Sequence, residues 1–277
     1  MLGCKENFSL ASEIDCFSEA VFSEPEEKMK AYIRYRPLIR NLRSTTEITD
    51  EGIRQLLELP MIEQEVDKGY EVVHEGDHPT RCCLVLEGFA FRYRILVDGS
   101  RQIVAFNVPG DLPDLQSLHL KRMDHALATL SPARLAFIPH GALRDLTKKN
   151  YGVADALWRR TLIDAAILRE WVTALGRKPA PARIAHILCE LMARLSIVQL
   201  GNKPQVRVPV TQNELADALG LTYVTINRYL QDFSRAGIVD FRHQVLTIHN
   251  WPELQRIAGF DSDYLHLTCP LPKWGPF

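Results

Sequence analysis

No stretch of the 277 residues holds the eighteen or so consecutive apolar side chains that a membrane-spanning helix needs. The run Met1-Leu2-Gly3-Cys4-Lys5-Glu6-Asn7 has no basic region followed by an apolar stretch. No signal peptide and no membrane partner are therefore expected, and the chain is expected to be cytoplasmic. Cysteine is sparse. Cys4, Cys16, Cys82, Cys83, Cys189 and Cys269 form neither a Cys-x-x-Cys pair nor a regular array, which predicts free thiols in a reducing compartment. A glycine-rich phosphate loop is missing, and so is a serine nucleophile turn with its histidine and acid. No catalytic residues are assigned, and an enzyme is not expected. Neither sign of charge dominates: 33 Lys and Arg stand against 34 Asp and Glu. Internal repeats and low-complexity tracts are also lacking. The 46% apolar content is enough for packed cores, and the length favours two domains over one.

What is present is concentrated in residues 211–229, which read as a helix-turn-helix. Leu215, Leu219, Ile226 and Leu230 recur at helical spacings and can share one buried seam. Ala216 is small where two helices must approach, Gly220 suits a left-handed helix end, and Thr222 suits the N-cap of a second helix. Such a motif places its second helix in the DNA major groove. The groove-facing candidates are Thr222, Tyr223, Val224, Thr225, Asn227 and Arg228. Thr211 and Gln212 open the first helix, where backbone N–H groups and hydroxyls hold a phosphate. Residues 207–210 predict a short strand before the motif, and 236–248 a turn and β-hairpin after it, which makes it a winged helix. Residues 177–249 carry nine Lys/Arg against five Asp/Glu, a local positive excess in a neutral chain.

Upstream, residues 35–59 read as helical, and residues 23–28 as polar and exposed. Between Val66 and Pro139 the pattern changes. Glycines at 69, 76, 88, 99 and 110 separate β-rich runs at 71–74, 83–86, 89–96 and 102–108, with two more at 126–130 and 135–138. Strands with turns at this rhythm predict an antiparallel sandwich or barrel. Asp98-Gly99 supplies a hairpin turn. Residues 151–175 predict one long helix that is apolar on two sides, with Trp158, Ile167 and Trp171 expected on the outer side that a monomer would leave wet. Such a helix must pack on two things: its own β domain and a second copy of itself. Residues 176–181, with Gly176, Pro179 and Pro181, break it as a hinge, and 183–196 are helical again.

The order of β-roll, long helix, hinge and winged helix-turn-helix, with Glu75-Gly76-Asp77, Pro109-Gly110-Asp111, residues 211–216 and Asn227-Arg228 in register, resembles the CRP/FNR family of bacterial transcription regulators over residues 35–260. The resemblance implies an α+β protein. An extension (1–32) precedes an antiparallel, jelly-roll-like β-roll sensor of cyclic-nucleotide-binding type (33–150). A dimerisation helix (151–176), a winged helix-turn-helix domain (177–260) and a C-terminal tail (261–277) follow. It implies a homodimer bound to a palindromic double-stranded operator, with RNA polymerase as a further partner. It also puts Arg228 where the family commonly reads guanine, while Tyr223-Val224 replaces the frequent Arg-Glu pair.

In nucleotide-binding members an arginine pairs with the cyclic phosphate. Counted without gaps, that position holds His125, and Arg122 lies off register. Asp114, Ser117, Arg122, Asp124 and His125 are expected to line the effector pocket, with Leu115, Leu118, Leu120 and Leu127 anchoring it. cAMP is not expected to bind tightly, and no cofactor or metal is assigned. The cysteine spacing does not match an iron–sulfur member. His74, His78, His119, His125 and His140 are haem or metal candidates by residue type alone. Cys82 and Cys83 read as strand thiols, one packed and one exposed. Two other readings stay open: an interaction protein with a degenerate helix-turn-helix, and a haem-, metal- or redox-sensing regulator.

Overall fold

The computed structural model describes residues 25–198 and 204–271. The helical stretch expected over 35–59, with Thr49-Asp50-Glu51 as a possible start of its second half, is two helices, α1 (Pro25–Arg43) and α2 (Asp50–Leu57). The break is local chemistry. The Ser44 and Thr45 hydroxyls bond back to the carbonyls of Asn41 and Leu42, and the extended Thr49 accepts from the Gly52 N–H to cap a new helix. Helix α1 is described from Pro25, so residues 25–32 of the expected extension are helical, and residues 1–24 lie outside the described residues.

Seven strands form two antiparallel sheets. They are β1 (Ile62–Val66), β2 (Glu71–Val73), β3 (Arg81–Glu87), β4 (Ala90–Ile95), β5 (Arg101–Asn107), β6 (Ala126–Thr129) and β7 (Ala133–Pro139). The sheet orders are β1-β7-β3 and β2-β6-β4-β5. β1 was not legible in the sequence. Its Glu63-Gln64-Glu65 centre has low strand propensity and is tolerated because β1 is an edge strand among the described residues, paired with β7. Strand β3 is buried on both faces. Cys83 and Val85 face the interior shared by the two sheets, while Cys82, Leu84 and Leu86 face a layer of helices. That layer contains α1, α2, α3 (His140–Lys149) and the start of α4 (Tyr151–Arg177). Gly110 adopts φ 90° where a Cβ would run into the Pro37 carbonyl, so the roll touches α1 directly there.

Helix α4 is capped by Asn150, whose side chain accepts from the Val153 N–H, and ends before Pro179. Its buried stripe first meets the helical layer through Val153, Ala156 and Leu157, then the C-terminal domain through Ile163, Ile167 and Trp171. The expectation that Trp158, Ile167 and Trp171 share an outer face fails. Trp158 is 68% exposed, whereas Ile167 and Trp171 are each 4% exposed. At about 100° per residue, both lie roughly half a turn round from Trp158. The outer seam is instead Trp158, Leu162, Leu168 and Val172.

The C-terminal domain comprises α5 (Ala180–Val198), β8 (Gln205–Arg207), α6 (Gln212–Leu219), α7 (Tyr223–Arg235), β9 (Val239–Arg242), β10 (Val245–Ile248) and α8 (Trp251–Ala258). The strand expected at 207–210 lies slightly earlier, as β8. β9 and β10 form the wing hairpin, with His243 and Gln244 at positive φ in its two-residue turn. One apolar cluster runs from Phe91 and Phe106 of the roll through Trp171 to the interior of this domain.

Candidate nucleic-acid interface and sensor segment

The turn between α6 and α7 is built from caps. The Thr211 hydroxyl accepts from the Glu214 N–H while Glu214 accepts from the Thr211 N–H, closing a capping box. Gly220 ends α6 in the left-handed conformation, and Thr222 caps α7 by accepting from the Thr225 N–H. Leu215, Leu219, Ile226 and Leu230 are all buried, so the backing of α7 is apolar.

The outer face of α7 is open. Tyr223 is 50% and Val224 74% exposed, Thr222 and Arg228 are exposed, and Thr225 and Asn227 are half-buried. The Arg228 guanidinium lies 4.7 Å over the Tyr229 ring. Gln212, expected at a phosphate, instead accepts from Asn227 Nδ2 at 3.0 Å. Asn227 Oδ1 in turn accepts from Gln231 Nε2 at 2.8 Å. A groove of about 440 Å³ between α6, α7 and the wing is lined by these amides together with Arg235 and Arg242. Gln231, Arg235 and Arg242 line this groove although they are not among the groove-facing residues expected from the sequence. The four-residue step from Asn227 was a signal for Gln231; the wing position of Arg242 needed the fold.

The reading head is bound to the roll by groups that no motif marks. Arg101 on β5 pairs with Asp217 on α6 at 2.8 Å, Lys68 pairs with Glu214 at 3.0 Å, and Gln102 donates to the Ala218 carbonyl. Beneath them runs a buried charge network. Arg92 holds Asp164 of α4 through two bonds of 2.6 and 2.8 Å. Asp111 takes Arg194 of α5 at 2.5 Å and lies 3.5 Å from Arg160 of α4. Arg194 also reaches Glu190, which accepts from Trp171 Nε1 and the Tyr264 hydroxyl. Burial pushes the Glu190 carboxyl above its usual range.

The expected effector lining does not converge. Asp114 is buried and accepts from the Cys83 N–H at 2.7 Å, and burial pushes its pKa up to about 7. Ser117 is buried within 3.0 Å of His140 Nε2. Arg122 and Asp124 are exposed, with the Arg122 guanidinium beside Gly76. His125 is buried and paired with Asp124 at 2.8 Å, and its pKa is lowered chiefly by burial. Leu120, expected as an anchor, is exposed. The nearby cavity is about 20 Å³ and is lined instead by Asn107, Asp111, Leu112, Leu115, Gln116, Arg160, Thr161 and Asp164. Three-dimensional closure explains the difference: the 3₁₀ turn Leu115–Leu118 carries Ser117 under β3, away from the Arg122 loop.

Cys82 and Cys83 are both buried, which corrects the expectation that one is exposed. Burial raises both thiol pKa values, that of Cys82 to about 12, so neither carries thiolate at neutral pH. Cys4 and Cys16 lie outside the described residues. His78 Nδ1 contacts the Lys121 carbonyl, and His74 lies 3.4 Å from Asp77. Among the described residues, no three His, Cys, Asp or Glu side chains are grouped to hold a metal ion, and no helix is long and apolar enough to cross a membrane.

Comparison with known proteins adds to this geometry. Residues 63–150 match the cyclic nucleotide-binding domain and residues 182–257 the Crp-like helix-turn-helix domain. The chain is 27% identical over 217 residues to the fumarate and nitrate reduction regulatory protein of Vibrio cholerae, covering 78% of this chain and 86% of that protein. It is 29% identical over 201 residues to the transcriptional activator protein FnrL of Cereibacter sphaeroides, covering 70% and 79%. The structure of FixK2 from Bradyrhizobium japonicum superposes with a TM-score of 0.67 at 25% identity, covering 73% of this chain and all of that one. The chain belongs to the CRP/FNR family of transcription regulators, whose cyclic-nucleotide-binding-type roll precedes a DNA-binding helix-turn-helix. These relatives are regulators rather than enzymes.

Proposed function

We propose that the chain is a cytoplasmic, homodimeric regulator that binds a palindromic double-stranded operator, with RNA polymerase as a further partner and a sensor that does not respond to cAMP. The observation that carries the DNA reading is the outer face of α7: capped at its start, backed by buried leucines, and presenting Tyr223, Val224 and Arg228 outward. Thr211, Gln212, Thr222, Thr225 and Asn227 surround that face. Arg228 takes guanine through O6 and N7 when it leaves the Tyr229 ring. Selection of bound sites from a random DNA pool tests this. Arg228→Ala should lose about 1–3 kcal/mol and relax one base position. A loss that is uniform across sequences makes it a phosphate contact, and no loss removes it from the interface.

Homodimerisation is supported by the exposed apolar seam of α4, which a monomer would leave in water. Two such heads read half-sites about one helical turn apart, roughly 34 Å. The nucleotide reading is disfavoured by His125, which is buried, held by Asp124, and kept from charging by burial. Such a group gives no bidentate clamp on a phosphate. Calorimetry should detect no saturable cAMP or cGMP binding below millimolar concentration; micromolar affinity that is lost in Arg122→Ala overturns this.

A further inference from the structure

We propose that Gln231 is a base-reading residue held in register by Asn227 and Gln212, and that the base it reads is adenine. The inference rests on the DNA-reading function above and assigns the chemistry of one position within it.

Tyr223, Asn227 and Gln231 occur at four-residue intervals, so they share the outer face of α7. Gln231 is exposed on the groove between α6, α7 and the wing. At 1.5 Å rise per residue it stands about 12 Å along the helix from Tyr223, roughly three to four base steps.

The amide chain fixes what Gln231 can offer. Its Nε2 donates one hydrogen to Asn227 Oδ1, and Asn227 Nδ2 donates to Gln212 Oε1. That leaves Gln231 with one free N–H and a free carbonyl oxygen, side by side. Adenine presents an acceptor, N7, beside a donor, the N6 amino group, and satisfies both. Guanine presents two acceptors there, cytosine a donor, and thymine an acceptor with a methyl group. A phosphate presents acceptors only and would leave the Gln231 oxygen facing negative charge. Arg235 and Arg242 line the same groove and supply cations suited to phosphates. The tether to Asn227 also orders the side chain before DNA arrives, which lowers the cost of ordering it in the complex.

The test compares sites selected from a random double-stranded pool by the full chain and by Gln231→Ala and Gln231→Glu, followed by competition with single-base-pair substitutions. The wild type should select an adenine three to four base pairs from the position read at the start of α7, with roughly five- to a hundredfold discrimination. Gln231→Ala should lose discrimination at that position and keep it elsewhere. Gln231→Glu should move the preference toward cytosine, because a carboxylate accepts only, and the Asn227 amide can turn to donate to it. An unchanged motif in Gln231→Ala, or a loss equal for every sequence, overturns the assignment of Gln231 alone. A wild-type chain that enriches no site overturns the DNA-reading function, and this inference with it.

Discussion

Asp114 and Ser117 of the sensor segment and Asn227 and Gln231 of the reading helix are all polar and all hydrogen-bonded, but the first pair faces inward and the second faces a groove. In the roll, the Asp114 carboxyl satisfies a strand N–H, and Ser117 bridges toward Cys82 and His140. Those groups are occupied in holding the protein together. On α7 the bonds run sideways between amides and leave donors and acceptors pointing out. The same chemistry is spent on packing in one region and left open to a partner in the other. Burial decides which, because a buried polar group must be satisfied internally.

The largest test of this contrast is Asp111→Ala. Asp111 accepts from Arg194 at 2.5 Å, from Asn41 at 2.9 Å and from the Val108 N–H at 2.9 Å, all in the interior. Its removal strands buried cations and should cost about 3–5 kcal/mol in urea denaturation. A cost below about 1 kcal/mol would show that the network is solvated rather than buried.

Two tryptophans of α4 sharpen the comparison. Trp171→Ala should destabilise the protomer by about 3–5 kcal/mol. Trp158→Asp should leave the protomer folded and convert dimers to monomers in light scattering. A dimer that survives Trp158→Asp would place the interface elsewhere.

A smaller effect, which depends on pH, is expected at Asp114. Its folded-state pKa, about 7, lies above the ordinary carboxylate value of about 4. Its contribution to stability is therefore fully present below about pH 4 and lost as pH rises through about 7. Asp114→Asn keeps an acceptor for the Cys83 N–H and should flatten that fall, by on the order of a few kcal/mol at pH 8. Parallel stability–pH curves for the two proteins would place the titration elsewhere.

Most of the reading head was legible in the sequence. Thr211, Gly220 and Thr222 act through bonds to residues a few positions away, so their roles follow from local order. The leucine seam and the wing turn were legible for the same reason. The β1 strand was not, because an acidic edge strand has neither alternation nor β-rich composition. The sensor lining was misread as a unit. The expected pocket lining draws on Asp114, Ser117, Arg122, Asp124 and His125 together, whereas the chain turns Asp114 and Ser117 inward and leaves Arg122 and Asp124 outside.

The sequence by itself determined the family, the order of roll, long helix and helix-turn-helix, and the face of α7 that looks outward. These depend on periodicity, caps and turns, whose effects reach only a few residues along the chain. Only the tertiary structure decided which side of α4 is interior, why Cys82 and Cys83 are both shielded, and how Asp111, Arg160, Arg194 and Glu190 meet. It also decided that Arg101 and Lys68 hold the head against the roll. Apart from Arg194–Glu190, four residues apart, those pairs join residues far apart in sequence, so no local periodicity announces them, and the buried ones gain strength because folding removes water from around them.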